Sequence, residues 1–275
     1  MEYSYVSGAV TVKTVKETKT EGEFHLEGLY PGYGATVGNA LRRTLLSSLP
    51  GAAISQVKVK GVKHEFSTIP GVMEDVVAVM LNLKQVRFEF HADEPQVLEL
   101  KVKGKREVTA GDIKDTAFVS VVNKDIHLAN ITDGKTELEM ELTVEKGLGY
   151  VSAEARRAER LAVGTILLDC VFSPVRSVRM NIENMRVGEH TDYNRLKFVI
   201  TTDGSITPSR ALRQATHILR DHFDKVSQSL PEDPSASSEQ KDSAGSPQAG
   251  FVCDECGFTA KSERGLRTHK SKQHS

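Results

Sequence analysis

The chain has 275 residues, 39% of them hydrophobic, and its 36 Lys plus Arg against 37 Asp plus Glu leave a formal charge of −1. That length holds one large domain or two modest ones, and that hydrophobic share excludes a chain disordered throughout. The near-neutral balance supplies no global field toward nucleic acid, no stretch approaches the roughly 20 apolar residues that span a bilayer, and a soluble intracellular protein without membrane partners is expected.

The first periodic segment predicts a helix over 36–49. Val37, Ala40, Leu41, Leu45 and Leu49 fall on one side of its wheel, Arg43 and Leu46 lie away from that stripe, and Pro50-Gly51 ends it. Gly32, Gly34 and Gly38 crowd the approach to this helix. Their spacing is neither that of a P-loop nor that of a dinucleotide motif, so they are read as a tight turn with positive φ or a close backbone contact.

Alternation with period two then predicts strands around Val57 and Val59; Val86, Phe88 and Phe90; Leu98, Leu100 and Val102; and Leu138, Met140, Leu142 and Val144. Glu137, Glu139, Glu141 and Glu145 share one face of the last run, which is read as solvated negative charge and nothing more. Cys170, inside the apolar run from Ile166 to Phe172, is read as a buried small hydrophobe. A second helix is expected from Thr207 as N-cap and Pro208 as first residue out to Leu230, with Leu212, Ala215, Leu219, Val226 and Leu230 along one stripe. A helix so long and so apolar along one side needs a partner surface, either its own fold or a second copy.

From Pro231 to Gly250 the chain has three Pro, five Ser, two Gly and four acidic residues, with no Val, Ile, Leu, Met or aromatic. Such a composition buries too little to order itself and reads as a linker. Beyond it, Cys253 and Cys256, twelve intervening residues, then His269 and His274 have the C-x2-C…H-x4-H spacing of a two-cysteine two-histidine zinc finger. Phe251 and Leu266 supply part of the usual small core. Ala260 stands where an aromatic is usual, and Phe258 is placed to fill that core instead. The positions that would read bases, Ser262, Gly265 and Thr268, make no bidentate contacts, so sequence-specific reading is not expected. Five Lys or Arg and one Glu between Lys261 and Lys272 suit salt-sensitive contact with a DNA backbone.

The run Gly32-Tyr33-Gly34-Ala35-Thr36-Val37-Gly38-Asn39-Ala40-Leu41-Arg42-Arg43-Thr44-Leu45-Leu46-Ser47-Ser48 resembles the signature of the bacterial and plastid RNA polymerase alpha subunit. Three further blocks agree in order: His64 to Thr68 with Gly71 to Asp75 and Leu83-Lys84; Gly147 to Val151; and Phe172 to Val175 with Arg186 to Gly188 and Thr191 to Tyr193. The resemblance covers residues 1 to about 230. It implies an α+β fold of two subdomains: a discontinuous dimerisation subdomain from 1–50 and 174–230, and an inserted β-rich subdomain from 51–173, followed by the linker at 231–250 and the finger at 251–275.

It further implies a homodimer formed by the two helices, through Val37, Leu41, Leu45, Leu212, Leu219 and Val226. Arg43 and Leu46 match beta-contacting positions, and Lys84 and Leu168 match beta-prime-contacting ones. The chain would carry no catalytic residue of its own and would work in the bacterial cytoplasm or a plastid. The finger, with its Zn2+ on Cys253, Cys256, His269 and His274, stands where the family usually continues into a helical C-terminal domain, and would contact DNA or regulators. The sequence also accommodates an independent dimeric zinc-finger transcription regulator, whereas an enzyme reading lacks a clustered aspartate triad or any nucleophile motif.

Overall fold

The computed structural model describes residues 8, 10–156, 162, 164–230, 251–254, 256, 259–260 and 263–273. They divide into two units, Met1–Phe223 and Asp224–Ser275. In chain order the elements through the second long helix are β1 (Thr11–Glu17), β2 (Glu21–Leu29), α1 (Tyr33–Ser47), β3 (Pro50–Val59), α2 (Val76–Leu83), β4 (Phe88–Phe90), β5 (Gln96–Lys103), β6 (Arg106–Thr109), β7 (Val119–Val121), β8 (His127–Ile131), β9 (Glu137–Leu148), β10 (Tyr150–Val151), β11 (Thr165–Leu167), β12 (Cys170–Val171), β13 (Val175–Val187), β14 (His190–Thr202) and α3 (Pro208–Ser229). It is a mixed α+β fold, richer in strand than in helix.

One hydrophobic core draws on both ends of this stretch. Its antiparallel sheet runs β1-β2-β14-β13, with Phe24 opposite Phe198 and Leu26 opposite Leu196. These side chains, with Ile200 next along β14, are buried against Leu41 and Leu45 of α1 and Ala211, Leu212 and Ala215 of α3. Helix α1 begins three residues before the predicted start, because the turn at Gly32, at φ 86, already aims the chain into the helix. It ends at Ser47, where the Ser48 N–H donates to the Thr44 carbonyl at 2.9 Å, and Leu49 stays buried outside the helix. At the start of α3 the Ser209 N–H donates to Glu17 of β1 at 2.9 Å, tying a helix terminus to an edge strand.

A second core is built from the intervening residues. Its sheet runs β11-β3-β9-β5, and on β9 Leu142 faces Val57 on one side and Leu98 on the other. The alternation seen in the sequence is what buries Val57, Val59, Leu98, Leu100, Val102, Leu138, Met140, Leu142 and Val144 on one side, together with Val76, Val79, Met80 and Leu83 of α2. Each large side chain so buried contributes about 1.5–3 kcal/mol. Helix α2 is started by Asp75, whose carboxylate accepts the Ala78 N–H at 2.8 Å. Cys170 is fully buried with Ala53 and Phe172, and burial pushes its thiol up to about 11.

The wet face of this sheet corrects one expectation. Its glutamates are not bare negative charge: Glu139 sits between Lys101 of β5 and Lys60 just past the end of β3, Glu141 pairs with Lys58 at 3.5 Å, and Glu145 pairs with Arg156. The bonds from Lys101 and then Lys60 draw the Glu139 carboxyl down to about 2. Antiparallel pairing brings these lysines alongside from far away in sequence, which a scan of β9 alone does not reveal.

In the second unit β15 (Phe251–Val252) pairs antiparallel with β16 (Thr259–Ala260), and α4 (Glu263–Gln273) follows. The linker 231–250 lies outside the described residues.

Candidate assembly surface

The glycines ahead of α1 set how close it lies to its sheet. The Gly32 and Gly34 N–H groups donate to the Asn194 side-chain oxygen at 3.1 and 3.3 Å. A Cβ at Gly34 would lie 3.0 Å from Asn194 and Ile182, and one at Gly38 would lie 3.2 Å from Leu196 and Met180. So the inner face of the helix is pressed onto β13 and β14, and both halves of the glycine reading hold: positive φ at Gly32, close approach at Gly34 and Gly38. The outer face then follows from the 3.6-residue period. Arg43 is exposed, and Leu46 is 38% exposed. The Ser173 hydroxyl donates to the Leu46 carbonyl at 3.2 Å, which braces the end of this face.

The residues matched to dimerisation separate into two groups. Leu41, Leu45 and Leu212 are spent in the chain's own core, with Val37 and Leu219 packed against it and partly covered. Val226 is exposed, and so are Phe223 and Leu230, which the same stripe carries at helical spacing. The sequence showed the stripe; it could not show where along α3 the sheet stops covering it.

Lys84 and Leu168 are likewise placed differently from each other. Lys84 caps the C-terminus of α2, and its ammonium donates to Asp169 at 2.8 Å. The other Asp169 oxygen accepts the Ala153 N–H at 2.9 Å. That backbone bond, and then Lys84, hold the Asp169 carboxyl below the ordinary range. Leu168 is only 3% exposed and packs in the second core, next in sequence to Asp169. Asp169, the lone charge in the apolar run from Ile166 to Phe172, was the missed signal.

A second missed feature is the segment 61–75, which presents Phe66 and Met73 to solvent. It is anchored by bridges from Thr68 to Asp75 and Val72 to Ile131, and by Gly71 at φ 77. Glu74 accepts the Asn130 N–H at 2.6 Å and meets His127 Nε2 at 3.0 Å, while His127 Nδ1 meets Glu107 at 2.8 Å. Burial works against the charged form of Glu74, yet the Asn130 and His127 bonds hold its carboxyl below the ordinary range. The Glu74 bond, opposed by burial and helped by Glu107, raises the His127 pKa.

In the second unit Cys253 is buried and Cys256 exposed, both in the connection between β15 and β16, and α4 carries position 269. Gly265 and Thr268 are exposed on that helix. His274, Phe258 and Ser262 lie outside the described residues. Among the described residues no three metal-ligating side chains cluster, and no helix is long and apolar enough to cross a membrane.

The family of the RNA polymerase Rpb3/RpoA insert domain matches residues 57–173, the stretch that builds nearly all of the second core. Three curated relatives carry the name DNA-directed RNA polymerase subunit alpha. That of Symbiobacterium thermophilum is 48% identical over 208 residues, covering 76% of this chain and 66% of the relative. That of Flavobacterium psychrophilum is 47% identical over 212 residues, covering 76% and 64%. That of Alkaliphilus oremlandii is 45% identical over 214 residues, covering 78% and 67%. The chain therefore spans less than two thirds of the length of the first two. With a relative 45% identical over two thirds of its length and a family match that takes in the inserted sheet and the Lys84–Asp169 pair, this chain belongs to the DNA-directed RNA polymerase alpha-subunit family.

Proposed function

We propose that the chain is the alpha subunit of a bacterial-type, cytoplasmic DNA-directed RNA polymerase, a nucleotidyltransferase to which it lends assembly and no catalytic group. Two copies pair, one binds the beta subunit through Arg43 and Leu46, and beta-prime then docks beside Lys84. The observation that carries this is the division of α1: its apolar side is consumed by its own sheet, while Arg43 and Leu46 stand outward on a helix clamped by Asn194. A guanidinium held on a rigid face suits a partner's carboxylate or backbone carbonyls. The uncovered stripe of Phe223, Val226 and Leu230 supports pairing with a second copy, since such a stripe on a long helix is stable in water only when covered.

The tail is proposed to hold one structural Zn2+ on Cys253, Cys256, His269 and His274. The order of elements fits: two cysteines between paired strands and a histidine position on the helix that follows suit a tetrahedral S2N2 set. When bound, the metal supplies folding energy to a module too small to supply its own. The finger then acts as a tethered contact with DNA backbone or a regulator. Co-expression with the two large subunits tests the whole reading. The expected product is an assembly with two copies of this chain, and the isolated dimer should carry one zinc per chain. A stable dimer that captures neither large subunit would instead favour the independent regulator, and unchanged promoter binding after deletion of 251–275 would remove the finger's role.

A further inference from the structure

The two cores of the first unit do not merge, and a buried ion pair crosses the seam between them. Arg87 follows α2 in the inserted part. Asp203 lies between β14 and α3 in the outer part. Arg87 Nε stands 3.3 Å from Asp203 Oδ2, with side chains 18% and 5% exposed.

Both partners are fixed by their own neighbours. One guanidinium nitrogen of Arg87 donates to the Lys84 carbonyl at 2.9 Å and the Val86 carbonyl at 3.3 Å, and the Arg87 N–H donates to Asn123 at 2.7 Å. Asp203 accepts the Ser205 N–H at 3.0 Å and the Ser205 hydroxyl at 2.6 Å, and its own N–H donates to the Pro174 carbonyl at 2.9 Å. Asp203 and Arg87 thus link the residues just ahead of α3 to the Lys84 backbone and on to Asp169, joined to each other by an ion pair and not by a hydrogen bond. Buried pairs of this kind add little net stability compared with apolar replacements, and their best attested use is to specify one arrangement out of several. Removing one partner strands the other: burial works against the Arg87 charge, Asp203 favours it and Arg176 opposes it, so losing Asp203 leaves that charge unsupported.

We propose that Arg87 and Asp203 are positioning residues: they set the angle between the outer and inserted parts of the chain and so place Lys84 for its partner. The second clause rests on the assembly reading given above; the first does not.

The test uses the full-length dimer with bio-orthogonal distance labels at the exposed positions Val97 and Arg179, one in each part, in three backgrounds: wild type, Arg87→Met, and Arg87→Met with Asp203→Leu. The double variant removes both charges, and denaturant unfolding of each background checks that it stays folded, which separates positioning from mere folding. A broadened or shifted distance distribution in the double variant, with beta-prime capture weakened about tenfold and no further loss on adding Lys84→Ala, is the expected result. An unchanged distribution, or a changed one with wild-type capture, overturns the positioning role. Should the wild-type assembly capture neither large subunit, the assembly reading falls and the distance distribution alone decides the seam.

Discussion

The two parts of the first unit handle their surfaces in opposite ways. The inserted part closes on itself: its sheet and α2 bury one another, and Glu139, Glu141 and Asp169 each find a lysine nearby. The outer part leaves work undone: α3 buries Ala211, Leu212 and Ala215 in its core but leaves Phe223 bare where the unit ends, and Val226 and Leu230 further along the chain are exposed too. An amphipathic stripe therefore reveals that a helix must be covered, and only the extent of the sheet beneath it decides by whom.

Four measurements would break or sharpen that contrast. Leu45→Ala, in the covered half, should cost about 3 kcal/mol of folding stability in denaturant unfolding, because its site lies fully inside a packed core. A loss below about 1 kcal/mol would mean that α1 is not held by its own sheet. Val226→Asp, in the bare half, should weaken self-association by about 2 kcal/mol, roughly thirtyfold in Kd by sedimentation, while the chain folds normally. Equal sedimentation of mutant and wild type would remove that face from the dimer. Arg43→Ala should change folding by less than about 0.5 kcal/mol but weaken capture of the beta subunit by about 1.5 kcal/mol.

The smallest effect is a pH window in the inserted part. Glu74 is held below its ordinary 4.5, so its stabilising share is present above 4.5 and lost as pH falls through the lowered value. His127 is raised above 6.5, so its share is present below 6.5 and lost as pH climbs through the raised value. Exchange protection of the Asn130 amide, corrected for intrinsic rates, should be greatest between these limits, and Glu107→Gln should move the upper limit down. A flat profile would show that the Phe66 and Met73 segment is not tied down by this cluster.

Periodicity in the sequence located α1, α3 and the strands β3, β5 and β9, since a helix stripe and a strand alternation are local properties. The glycine cluster was legible for the same reason, as few residues tolerate φ 86 or a neighbour within about 3 Å of their Cβ. What eluded it depends on distant pairing. Lys101 beside Glu139, Glu17 on the start of α3 and Asp169 under Lys84 join residues far apart in the chain, and no window along the sequence contains both members. Leu168 shows the same limit from the other side: family position pointed to a contact, but its side chain lies buried in the second core.

One close approach has a wider meaning. A Cβ on Gly51 would lie only 1.8 Å from the Phe172 carbonyl oxygen and 3.4 Å from Pro174, so the chain enters and leaves the inserted part through a single doorway. A module whose two ends touch can be lengthened, trimmed or exchanged without stretching its host, as domain insertions elsewhere require. The outer layer can thus keep one architecture while the cassette it carries is refitted to different machinery.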